Sequence, residues 1–195
     1  MTAIPAPTRT RIVSAAHALV REHGYAGASV AAVADRAGTG ASTLYRHFPS
    51  KAGLFVEVFR SVCEGEMAAA EAAAQQAANP LDQLYAWMQT FCARALAAPS
   101  LAWALIAEPV DPLVEQERLV FRRAYRDRIA DLITQAQAAD LIPPQDPVLS
   151  AAALIGGMAE ALVGPTAQGA IEALDADAVL KGVMAFVRRA LGDAG

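Results

Sequence analysis

Three times the chain places an Asn or Asp directly before a proline: Asn79-Pro80, Asp111-Pro112 and Asp146-Pro147. Each pair reads as a helix start. The side-chain oxygen accepts orphan backbone N–H bonds, and proline suits the first helical position, where its missing N–H costs nothing. The device divides the second part of the chain into helices beginning near 80, 112 and 147. Apolar residues around it recur at helical spacing, and no stretch alternates as a half-buried strand does. The expected fold is all-α, with no internal repeat.

The remaining punctuation agrees. A flexible arm is expected over residues 1–8. The first helix is predicted from about Thr8 to His23, with Ile12, Ala16, Leu19 and Val20 inward. Gly24 stops it, and Tyr25 is expected to fold back onto its last turn. A linking helix starts near Ser50, shows Leu54, Phe55, Val58, Phe59 and Val62, and continues toward Ala78. The helix from Pro80 ends near Ala98, before Pro99. A short helix over Ser100–Ala107 and a long one from Pro112 to about Ala139 follow. Leu141–Asp146 is the clearest loop, and the last helices are expected at about 147–163 and 176–191.

Between the first and the linking helix lies a denser signal. Ser29 can cap a helix through which Val30, Val33, Ala34 and Ala37 share one face. Gly38 suits the left-handed stop, and Thr39-Gly40 the turn. From Ala41 a second short helix presents Leu44 and Phe48 on one side for anchoring. Ser42 and Arg46 share another side, and Thr43 and His47 a third. Pro49 ends this helix and Ser50 can cap the next, with Lys51 at its start. Two short helices around a tight turn, the second rich in donors, form a helix-turn-helix candidate.

This block resembles the DNA-binding domain of the TetR family of bacterial transcription regulators. Thr43-Leu44-Tyr45, His47-Phe48 and Ser50-Lys51 match the family's core, and Gly24-Tyr25 with Ser29-Val30 match upstream. The resemblance runs over about Arg9 to Phe59 and is architectural beyond. Gly40 stands where the family commonly has serine, and Ser42 where it has glycine. Ala52-Gly53 replaces an acidic residue usual after Lys51. The resemblance implies a helix-turn-helix DNA-binding domain over 1–50 and an effector-binding and dimerisation domain over 51–195. It implies phosphate or sugar contacts by Tyr45, His47 and Lys51, with the hydroxyl of Thr43 reaching backbone or base. Ser29 can offer N–H groups to a phosphate. Thr39, Ala41, Ser42 and Arg46 are the expected base readers, although Arg46 suits a phosphate equally. Arg9 and Arg11 either reach a minor groove or are solvated.

Net charge is −4, which suits a DNA binder only through its distribution. Residues 1–60 hold seven basic against three acidic residues, whereas 61–195 hold nine against seventeen. A basic head on an acidic body is the asymmetry of a modular regulator.

In the body, Phe59, Cys63, Met67, Trp87, Met88, Phe91, Trp103, Phe121 and Tyr125 either fill a core or line a cavity. Tyr125, Gln89 and Arg94 are candidate polar handles. The resemblance favours a pocket for a hydrophobic small-molecule effector. Arg122, Arg123, Arg126 and Arg128 read as a solvated face. The last two helices carry more apolar surface than one small body covers, so Leu154, Ile155, Met158, Leu162, Val183, Met184 and Val187 are expected in a two-fold four-helix interface; the alternative is an intramolecular core. The resemblance implies the same homodimer.

The expected function is a dimeric regulator, by resemblance a repressor, that binds a palindromic double-stranded operator and is released by a mostly apolar ligand. A sequence-neutral DNA-binding protein, or a regulator answering to a protein or thiol signal, remain as alternatives. His17, His23 and His47 have no metal spacing, Ser42 has no nucleophile elbow, and no glycine loop suits a phosphate. No enzyme activity, metal or cofactor is therefore expected. Cys63 and Cys92 read as reduced, buried thiols. Met1–Thr8 has no leader pattern and Leu149–Val163 is too short to span a bilayer, so a cytoplasmic protein without a membrane partner is expected.

Overall fold

The computed structural model describes residues 7–167 and 175–192. The arm expected over residues 1–8 lies, up to residue 6, outside the described residues. The described residues form nine helices and no strand: α1 (Thr8–Gly27), α2 (Val30–Arg36), α3 (Ala41–His47), α4 (Lys51–Ala74), α5 (Pro80–Ala97), α6 (Pro99–Ile106), α7 (Pro112–Ala138), α8 (Pro147–Thr166) and α9 (Ala176–Ala190).

The starts of these helices follow the local chemistry. Asn79 accepts the Asp82 N–H, Asp111 the Leu113 N–H, and Asp146 those of Val148 and Leu149. Ser29 caps α2 through the Ala32 N–H and Ser50 caps α4 through the Gly53 N–H, whereas Gly40 gives α3 no side-chain cap. Gly38 turns the chain at φ +60°, a conformation that Cβ-bearing residues avoid. Gly24 breaks α1 at φ +71°, after which one more turn runs to Gly27.

Two ends depart from the sequence reading. The linking helix stops at Ala74, short of Ala78, because Gln75 to Ala77 tighten into turns before the Asn79 cap. α8 runs on to Thr166 through Pro165. It is 20 residues long and, by length and composition, could cross a membrane, contrary to expectation. Its apolar side instead packs against α5, α6, α7 and α9. Beyond the break at Gly24, the Tyr25 ring also meets Phe55 of α4 edge-on, with centroids 4.8 Å apart.

A single apolar core runs from head to body. Ile12, Leu19, Leu44, Phe48, Leu54 and Phe55 close the head. Trp87, Met88, Ile129, Leu132, Ile133, Leu154 and Leu162 fill the body. Burial of this surface, at about 25 cal/mol per Å², is the main force holding the helices together. α4 joins the two parts. Its Arg60 pairs with Glu117 and its Glu71 with Arg128, both on α7, while its Glu66 holds Arg94 of α5. These exposed pairs add geometry more than stability.

The seven residues expected at a subunit interface lie in the protomer's own core. Leu154, Ile155, Met158 and Leu162 of α8 are buried against α5, α6 and α7, and Val183, Met184 and Val187 of α9 against α5 and α8. Helical periodicity marked the apolar stripe correctly but could not say which neighbour covers it. The apolar residues left outward are Val148, Leu149 and Phe186, beside Ala152, Ala153, Gly156 and Gly157.

Candidate nucleic-acid interface and ligand cavity

The head presents α3 as a shelf. Leu44 is fully buried and Phe48 is 5% exposed, so the helix is anchored from below. Ala41, Ser42, Tyr45, Arg46 and His47 are exposed, with Thr43 and Thr39 half-buried beside them. Among the described residues, Arg46 makes one weak hydrogen bond, to the Thr43 hydroxyl at 3.4 Å, and its side chain is exposed. Lys51 sits half-buried at the start of α4, its ammonium 4.8 Å from the Tyr25 ring centroid and 5.3 Å from that of Phe55. Ser29 stands exposed before α2. The structure thus brings all nine residues expected at DNA into the helix-turn-helix and its flanks.

Arg9 and Arg11 have structural duties. Arg11 Nη2 donates to the carbonyls of Ala37 (2.5 Å) and Gly38 (3.0 Å), closing the C-terminus of α2. Arg9 pairs with Glu57 at 3.0 Å and covers the Phe48 ring. The pairing holds the Glu57 carboxyl below its ordinary range.

In the body a cavity of about 80 Å³ lies among α4, α5, α6, α7 and α8, within some 780 Å³ of atom-free space that includes its open mouth. Of the residues that the sequence left as core or cavity lining, Phe59, Cys63, Phe91, Phe121 and Tyr125 line it. Met67, Trp87 and Trp103 do not, and neither does Gln89. Trp87 is only 1% exposed and backs the wall behind Phe91, whereas Met67 and Trp103 are half-buried elsewhere. Met88, also expected there, belongs to the body core. Arg94 reaches the wall but is engaged bidentately by Glu66, at 2.5 and 2.9 Å.

Sequence reasoning missed Arg118, Arg122, Ile155 and Met158 in this lining. Arg118 had left a signal, since a charged residue there interrupts the stripe of Val114, Phe121 and Tyr125 along α7. At the mouth, Ile106, Arg122, Ile155 and Ala159 are shared with a second, open groove between α7 and α8 of about 590 Å³. Arg123 and Arg126 lie in that groove, so part of the face read as solvated forms a basic wall.

The cavity's ionisable groups are quiet. Burial pushes the Cys63 thiol up to about 12, despite a hydrogen bond with Tyr125, and does the same to Cys92. The Tyr125 hydroxyl is raised well above its ordinary value by burial. No group of three or more metal-ligating side chains occurs among the described residues.

Residues 12–58 match the family described as bacterial regulatory proteins, tetR family. No curated protein matches the chain in sequence. Solved structures share its fold across nearly the whole length. The fatty acid degradation regulator FadR from Bacillus halodurans superposes with a TM-score of 0.78 at 18% identity, over 95% of this chain and 96% of that one. FadR from Bacillus subtilis, solved in complex with stearoyl-CoA, gives 0.78 at 17% identity over 95% and 99%. A TetR transcription regulator from Haloarcula marismortui gives 0.79 at 15% identity over 95% and 96%.

Proposed function

The reading head of this chain belongs to the tetR family of bacterial regulatory proteins, and on that premise we propose that the protein is a dimeric repressor released from a palindromic operator by an amphipathic ligand. The observation that carries the reading is the pairing of an exposed, donor-rich α3 with an apolar cavity joined to the head by one continuous helix, α4.

One α3 in one major groove reads few base pairs. Two heads related by a two-fold read two half-sites, about 34 Å apart or a multiple of it. The proposed dimer face is the outward stripe of α8, Leu149, Ala153 and Gly157, with Phe186 of α9 beside it. Gly157 leaves room for Phe186, whose ring would stand 3.3 Å from a Cβ added there. Small residues in that stripe allow helices to approach closely.

The ligand's apolar part fits among Phe59, Phe91, Phe121, Ile155 and Met158, and an anionic head fits the groove of Arg122, Arg123 and Arg126. A long-chain acyl thioester has both parts, and stearoyl-CoA is the ligand of one structural neighbour. On this reading the chain enters through the cavity's open mouth and spreads its walls, α4 among them. The ligand therefore favours a state with the heads displaced. A coupling of about 1–3 kcal/mol would weaken operator binding about 5- to 150-fold.

Selection of duplexes from a random library at physiological salt tests the DNA half. A palindromic site bound by a dimer is the expected result. Recovery of no preferred sequence, with equal binding to any duplex, would replace this reading with a sequence-neutral DNA binder.

A further inference from the structure

Two buried charged residues join the cavity to the head, and neither is placed by DNA contact or by burial of the ligand's apolar part. Arg118 is 7% exposed and lines the cavity. Its Nη1 donates to Glu115 at 2.6 Å, and its Nη2 to the backbone carbonyls of Ala104 (3.2 Å) and Glu108 (2.9 Å). It thus pins the turn between α6 and α7. Its Nε is buried with no hydrogen-bond partner among the described residues. A guanidinium remains charged even where burial lowers its pKa, so this donor stands ready for an acceptor.

Glu108 is 5% exposed and sits on the turn that Arg118 holds. Its carboxylate reaches the head, where Oε2 accepts the Tyr25 N–H at 2.8 Å and Oε1 the Ala26 N–H at 2.9 Å. Both amides follow the break at Gly24 and have lost their helical acceptors. Glycine is required at the break, because φ is +71° and a Cβ would lie 3.0 Å from Oε2. The Tyr25 hydroxyl lies near the backbone of Asp111. Its ring carries the Lys51 ammonium and abuts Phe55.

We propose that Arg118 is the ligand-sensing residue of the cavity and Glu108 the latch it controls. An acceptor oxygen on the ligand, a carbonyl or carboxylate, engages the guanidinium and draws it from the Ala104 and Glu108 carbonyls. The freed turn then lets the Glu108 carboxylate leave Tyr25 and Ala26, and Lys51 and α3 shift with Tyr25. The trigger rests on the effector reading given above, whereas the latch does not.

Hydrogen exchange at the Tyr25 and Ala26 amides of the full-length chain tests the latch without any ligand. Glu108→Gln is expected to speed exchange at both amides at least tenfold. Arg118→Lys, which keeps the charge but not the forked bonds to two carbonyls, is expected to do the same, and the double variant to go no faster than the faster single one. Where Arg118→Lys fails to fold by circular dichroism, Arg118→Gln takes its place. Normal protection of both amides in the Arg118 variant would overturn the relay.

Stearoyl-CoA is the probe for the trigger. Saturating probe should speed the same two amides at least fivefold in the unsubstituted protein. Glu108→Gln should bind it within twofold of the unsubstituted affinity while losing most of its effect on operator binding. Probe binding with unaltered exchange at Tyr25 and Ala26 would overturn the trigger. Failure of the probe to bind would count against the effector reading instead, and the ligand-free exchange result would still decide the latch.

Discussion

Trp87 and Phe91, one turn apart on α5, stack with centroids 5.8 Å apart and planes 6° from parallel. Only Phe91 reaches the cavity, while Tyr125 meets both rings edge-on at 5.9 and 5.3 Å. Trp87 is therefore the foundation of the wall and Phe91 its surface. Trp87→Ala should cost about 3–5 kcal/mol in stability, as large core truncations do. Phe91→Ala should cost clearly less, since its ring is half-buried, and should alter ligand affinity more than folding. Denaturant unfolding of the two variants, with ligand titration of the second, checks the division.

Arg46 lies exposed on α3 with one weak contact to Thr43. Arg46→Ala should lower operator affinity by about 1–3 kcal/mol and relax discrimination at one base pair of each half-site. If Tyr45 contacts a phosphate, as the family resemblance implies, Tyr45→Phe should weaken all sequences alike. Affinities for an operator and its single-base variants distinguish the two behaviours. A uniform loss in Arg46→Ala would move that residue to the phosphate class.

A thiol signal at Cys63 or Cys92 fits poorly with thiols pushed up to about 12 by burial. The thiolate is the reactive form, so iodoacetamide should modify the native protein at pH 8 far more slowly than the unfolded chain. The sign for stability follows. Unfolded thiols lose their protons above about 9 while the folded ones keep theirs, so stability falls as pH rises from about 9 toward 12. Mass spectrometry of alkylated native protein gives the readout, with rapid labelling of either cysteine as the contrary result.

The outward stripe of α8 and α9 should decide assembly. Leu149→Asp and Phe186→Asp place charges on side chains 68% and 47% exposed, so neither should disturb the protomer's core. Both should shift the protein from dimer to monomer and weaken operator binding steeply. Sedimentation of the purified variants checks this. Dimers of unchanged stability would place the interface elsewhere.

Local chemistry was legible in the sequence where it acts through a few neighbouring atoms. Asn79, Asp111 and Asp146 cap the helices that their prolines begin, and Ser29, Gly38 and Ser50 punctuate the head as their side chains require. Contacts between distant segments were not legible. Helical spacing gave Leu154 and Val187 an apolar face without saying that the same chain covers it. Trp87 and Phe91 look alike in sequence, yet only the packing of α7 against α5 decides which ring meets the cavity. Glu108 and Tyr25 stand 83 residues apart, and nothing in the sequence pairs them. Arg118 alone had left a trace, as the charged interruption of an apolar stripe.

The central claim is that ligand in the cavity and DNA on α3 are coupled. The most direct measurement is the affinity of stearoyl-CoA for the free protein and for the protein saturated with its selected operator. Linkage requires the ratio of the two affinities to equal the factor by which the ligand weakens operator binding. Tighter binding to the free protein, by about 5- to 150-fold, is the expected result. Equal affinity for the free and operator-bound protein would contradict it, because a ligand indifferent to two states shifts neither.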